Sequence, residues 1–165
     1  MKKLSLCAFL LLILSSCEEP SSAKSKYKCG ETTFIVEKLS ESKDSEFLLL
    51  NYEGDSQEKV HFGVFDKELD IIIILDVYMR EYKPTLLYEV YQNNRLTTKH
   101  WRILEKQWDY VKDLVNIAKQ KRLSDKGSDE HIEAERRLFD ALWQFRDTYE
   151  SKAEPQLLVE RYCDF

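Results

Sequence analysis

The sequence predicts an α+β fold: a five-stranded antiparallel meander followed by an antiparallel pair of amphipathic helices. Three observations predict it. Apolar and polar residues alternate with period two between 33 and 92. From about 98 the apolar spacing changes to steps of three and four. The links between successive β segments are short, whereas a parallel crossover takes a dozen or more residues.

The elements follow in order. TFIVEKL (33–39) is rich in β-forming residues, and EFLLLNY (46–52) follows after the charged loop SESKDS. KVHFGVF (59–65) puts Val60, Phe62 and Val64 on one face. LDIIIILDVYM (69–79) carries an unbroken apolar run from Ile71 to Leu75, and TLLYEVY (85–91) groups Leu86, Tyr88 and Val90. Gly54-Asp55, Asp66-Lys67 and Lys83-Pro84 supply the turn chemistry. Over 98–152, Trp101, Leu104, Trp108, Val111, Val115 and Ala118 form one helical stripe. Leu138, Leu142, Phe145 and Tyr149 form a second. Between them, Gly127 suits a helix end, Ser128 suits an N-cap, and Asp129 and Glu130 suit the positive helix start. The tail QLLVERYCDF is read as a short strand or a segment lying along the body. The run Ile71–Leu75 points apolar side chains to both sheet faces, and a helical pair covers one. The other face calls for curvature of the sheet onto itself, the tail, or a partner.

The first residues set the compartment. Lys2 and Lys3 precede Leu4–Leu14, an apolar stretch of about eleven residues. A membrane-spanning helix needs roughly 20, while a secretory signal peptide uses about 7–15. Leu14-Ser15-Ser16-Cys17 then resembles a bacterial lipobox: an aliphatic residue, two small residues and the lipid-accepting cysteine. The resemblance to bacterial lipoproteins covers residues 1–17. It implies diacylglycerol on the Cys17 sulfur, cleavage before Cys17, and a stable anchor of two or three acyl chains. It further implies an envelope location facing the periplasm, and the absence of Asp after Cys17 favours the outer membrane. Residues 17–26 then read as a lipidated tether and 27–165 as a single domain.

Removing residues 1–16 takes away Lys2, Lys3 and no acid, so the formal charge of −5 becomes −7. Such a surface repels nucleic-acid phosphates and suits a basic protein partner. Two cysteines remain beyond Cys17: Cys29 and Cys163. In an oxidising compartment they are expected to form a disulfide closing almost the whole domain.

No catalytic or cofactor motif emerges. G-x-S-x-G and H-E-x-x-H do not occur, and four glycines leave no phosphate loop. His61 points away from the apolar face of its strand, and His100 opens the first helix. His131 and Glu135 stand at i, i+4, a spacing compatible with a metal. The expectation is instead a solvated acidic face that raises the His131 pKa. Asp70 and Asp76 are about 20 Å apart by strand rise and mark the ends of the buried segment. The final Phe165 resembles the ending of outer-membrane barrels, but five strands cannot close one, for which about eight is the minimum.

YKCGETTFIV (27–36) resembles the opening of periplasmic lipoproteins that inhibit lysozyme, which place Tyr-x-Cys ahead of the first strand. That resemblance implies a small all-β barrel and a basic enzyme as partner. The two long helices depart from it. The functional expectation is a non-enzymatic lipoprotein, without cofactor or metal, that binds or inhibits a protein partner as an immunity or hydrolase-inhibitor protein. Contacts are expected on an outer sheet face at Asp76, Tyr78 and Glu89, since exposed tyrosines anchor interfaces. The alternative is an assembly subunit whose helical pair docks on an envelope complex.

Overall fold

The computed structural model describes residues 24–53 and 60–164. The signal peptide, Cys17, most of the tether and Phe165 lie outside the described residues. Strands β1 (Lys24–Cys29), β2 (Thr32–Glu41), β3 (Ser45–Glu53), β4 (Val60–Asp66), β5 (Ile71–Arg80), β6 (Lys83–Gln92) and β7 (Arg95–Arg102) lead into helices α1 (Glu105–Ser124) and α2 (Asp129–Lys152). Strand β8 (Leu157–Asp164) follows. Each strand pairs antiparallel with its neighbour, and β8 returns to β1, closing an eight-stranded barrel.

The open five-stranded meander is therefore wrong. It lacks β1, β7 and β8, the strands that close the sheet. Strand β1 (KSKYKC) turns Ser25, Tyr27 and Cys29 inward, and only the last two carry apolar bulk, so its Lys-rich start reads as tether. Strand β7 (RLTTKHWR) was hidden by Trp101, which stands seven residues before Trp108 and so completes a helical stripe on paper. In the structure Trp101 is a strand residue paired with Leu86, and α1 begins only at Glu105. His100 likewise belongs to β7 rather than to a helix start.

Two apolar layers share the wall. Inside the barrel, Phe34, Val36, Leu48, Leu50, Ile74, Tyr91 and Leu96 pack with the two cysteines. The rings of Phe34 (β2) and Tyr91 (β6) lie 4.8 Å apart although their strands are not neighbours, so they meet across the lumen. Outside, Phe62, Ile73, Leu75, Val77, Leu86 and Trp101 pack against Val111, Val115, Leu138, Phe139 and Leu142 of the helices. The run Ile71–Leu75 thus serves both layers. Ile73, Ile74 and Leu75 are all buried, and full burial of each is worth about 1.5–3 kcal/mol.

The barrel seam is thin. Among the described residues, strands β1 and β8 share only the pairs Lys28↔Asp164 and Cys29↔Cys163. The disulfide Cys29–Cys163, with a sequence separation of 134, sits in that seam. In the link between the helices Ser128 caps α2 as expected, whereas α1 ends at Ser124 with Asp125 as its C-cap, so Gly127 serves the turn rather than the helix end. Ser128 Oγ accepts from His131 N at 3.1 Å, and Gly127 takes a left-handed φ of 87°.

Eight strands meet the arithmetic that five could not, so strand number no longer argues against a membrane barrel. The wall does. On the side away from the helices it turns Lys26, Lys28 and Glu37 outward, with Lys26 paired to Glu53 at 3.0 Å and Arg95 paired to Glu160. Charges of this kind are costly against lipid. Among the described residues no helix is long and apolar enough to cross a membrane.

Candidate functional site

The end of the barrel at the β5–β6 hairpin gathers most of the polar inward-facing residues. Inward residues alternate along each strand: Asp76, Tyr78 and Arg80 on β5, Thr85 and Glu89 on β6, Thr98, His100 and Arg102 on β7. Pairing sets them side by side, with Tyr78 beside Thr85, Thr85 beside Arg102, and Glu89 beside Thr98.

Their contacts form short links rather than one catalytic relay. His61 Nδ1 lies 3.0 Å from Asp76 Oδ2. Burial works to raise the Asp76 carboxyl, but His61 and the Val77 N–H, which donates at 2.7 Å, hold it below its ordinary value. Thr98 Oγ1 donates to Glu89 Oε1 at 2.9 Å. Tyr78 Oη and His100 Nδ1 are 2.7 Å apart. Burial lowers the His100 pKa, and the positive charges of Arg80 and Arg161 lower it further. Both effects favour the neutral imidazole, whose tautomer sets which way the Tyr78 hydrogen bond runs.

The three residues expected at a partner contact do share one face, but that face is the barrel interior. Glu89 is 5 % exposed, while Asp76 and Tyr78 are half-buried. Alternation from Ile74 and Tyr91 turns all three inward, while the outward residues Ile73, Leu75, Val77 and Leu86 of the same strands pack under the helices. Asp76 does not simply mark the end of a buried segment; it carries a polar pair into the lumen. Cys29 and Cys163 are bonded as expected.

The hairpin tip itself was not anticipated. The turn falls at Glu81-Tyr82, not at Lys83-Pro84, which open β6. Both turn residues are left-handed, with φ of 51° and 62°. The β6–β7 turn of the same length uses Asn93 and Asn94, residues that tolerate this region far better. Tyr82 is 97 % exposed and Met79 54 %. Nothing in the pair Glu-Tyr marks such a turn, so pattern reading passes over it.

A second polar cluster lies between the helices. His131 is 0 % exposed, and Glu135 is buried against Arg122, whose Nε donates at 2.7 Å. Gly127 N donates to His131 Nδ1 at 2.9 Å. The solvated acidic face expected here is overturned. Burial lowers the His131 pKa, against the pull of Glu135, because the imidazole sits under the interhelical link rather than on the surface. Among the described residues no group of three or more His, Cys, Asp or Glu side chains is arranged to hold a metal.

No protein-family model, curated protein or solved structure matches the chain.

Proposed function

We propose that the chain is an envelope lipoprotein, anchored through lipid on Cys17 and facing the periplasm from the outer membrane. Its barrel binds and neutralises a protein partner, either a toxin delivered by a competitor or a cell-wall hydrolase, and does no chemistry on it. The β5–β6 tip carries this reading. A fully exposed tyrosine and a flexible methionine stand on a two-residue turn held in an unfavourable conformation. Strain of this sort persists where the surrounding structure imposes it, and it clusters at functional sites. Tyrosine buries a large area at low entropic cost, and methionine adapts to irregular surfaces.

One further observation supports it. The closed barrel agrees with the all-β fold of the lysozyme inhibitors whose opening resembles residues 27–36; the inserted helical pair is the difference. The formal charge of the chain adds no support, because the tip itself is locally cationic and does not favour a basic partner. Net charge therefore does not choose the face.

The test places a photo-crosslinking residue at 82 in the full chain, expressed in its native envelope. A protein adduct from 82 that disappears on Met79→Ala supports the reading. A second reading, docking of the helical pair in an envelope assembly, draws on the half-exposed α1 stripe of Tyr110, Leu114 and Ile117. Adducts from 117 and none from 82 would select it. Labelled palmitate tests the anchor: the label should vanish in Cys17→Ser. Glu89→Lys is a poor probe of contact, because it would bury an uncompensated charge and report folding instead.

A further inference from the structure

The chain has eight arginines. Arg95, Arg122, Arg136, Arg137 and Arg146 each pair with a carboxylate. The other three, Arg80, Arg102 and Arg161, form no ion pair among the described residues, and all three belong to the inward-facing rows of the barrel wall. Arg80 and Arg102 end β5 and β7 on either side of Thr85, which is buried in β6. With Glu81 and Gln156 these residues line a recess of about 230 Å³. The Gln156 N–H donates to His100 C=O at 2.7 Å, which fixes that wall.

We propose that this recess binds an oxyanion, the carboxylate or phosphate-monoester group of a small ligand. Arg80 and Arg102 supply the charge and the Gln156 side-chain amide supplies a neutral donor, while Thr85, whose hydroxyl donates to Lys83 C=O at 3.3 Å, forms part of the wall. Guanidinium forks match planar or tetrahedral oxyanions with two parallel N–H···O bonds. A chain of net charge −5 has carboxylates to spare, yet leaves these cations uncompensated on a concave surface. Glu81 lines the same recess and is the one opposing charge among its lining residues. The depressed pKa of His100, lowered by Arg80 and Arg161 after burial, reports the same positive potential beneath the recess. The volume falls below the roughly 300–1,000 Å³ of drug-sized sites, so the recess takes an anionic group rather than a whole cofactor. The inference does not depend on the partner reading above.

The test titrates the full chain, in neutral detergent at constant ionic strength, with inorganic phosphate and separately with acetate. Backbone amide shifts are followed by NMR. The expected result is saturable shifts confined to residues near 80–85, 102 and 156 with at least one of the two anions; which anion saturates decides between phosphate and carboxylate. Arg80→Gln with Arg102→Gln should weaken binding by about tenfold or more, as loss of charge-assisted bonds does. Lys126→Gln with Lys152→Gln removes the same charge elsewhere and should leave binding unchanged. Arg102 is exposed, so Arg102→Gln alone keeps the test open if the double variant unfolds. Linear, unsaturated shifts with both anions, or equal weakening by the lysine control, would overturn the proposal.

Discussion

Replacing Glu81-Tyr82 by Asn-Gly should stabilise the protein while damaging its contact. An L-residue in the left-handed region pays about 1–2 kcal/mol for the approach of Cβ to the backbone. The native turn pays this twice, at φ of 51° and 62°. Glycine pays nothing there, and asparagine pays less than glutamate. Against the relief stands a loss of roughly 0.5–1 kcal/mol, because glycine adds freedom to the unfolded chain. Tyr82 is almost wholly exposed, so little burial is given up. The net gain should be about 1–2 kcal/mol, a rise in Tm of about 3–6 °C for a domain of this size. Urea unfolding followed by circular dichroism measures it: the midpoint should rise with an unchanged slope. In the native envelope the same variant, with the photo-crosslinking residue moved to the exposed Lys83 position, should lose the partner adduct that the same probe gives in the unsubstituted turn. An unchanged or lowered midpoint would show that the turn stores no strain, and the argument from strain to function would go with it.

The other predictions concern the seam and the helical link. Cys29→Ser with Cys163→Ser should cost up to about 5 kcal/mol, the chain-entropy value for a loop closed over 134 residues. Amide exchange should rise first in β1 and β8, which share two residue pairs among the described residues; uniform exchange across the barrel would argue that the ladder, not the disulfide, holds the seam. For His131 the folded-state pKa lies below the ordinary 6.5. Stability should therefore be complete above about pH 6.5 and fall as pH drops below it, because the unfolded chain takes up a proton that the buried imidazole refuses. His100 contributes with the same sign. His131→Gln should flatten the slope of urea midpoints between pH 7 and 5, and parallel curves for the two proteins would contradict this origin.

Local pattern carried the reading wherever one face of an element is buried and the other is wet. Strands β2 to β6 and the two helices are legible for that reason, since alternation and helical spacing record burial directly. Two strands were illegible for opposite reasons. β1 buries so little that its lysines read as tether. β7 places Trp101 where a helix would also want it, and spacing alone cannot separate the two. The polar residues of the lumen failed differently. Asp76, Tyr78 and Glu89 do share a face, as their spacing requires, but spacing does not say whether a face looks outward or inward.

What the sequence by itself determined was the secondary-structure framework from β2 to β6, the helical pair with its Ser128 cap, and the cysteines available to bond. These follow from interactions between residues near in the chain, or from composition. Only the tertiary structure decided that β8 would return to β1, that Tyr82 would stand exposed on a left-handed turn, and that Arg80 and Arg102, which form no ion pair among the described residues, would share one end of the barrel. Those facts depend on closure, which brings together residues more than a hundred positions apart, and no local periodicity encodes which edge will meet which.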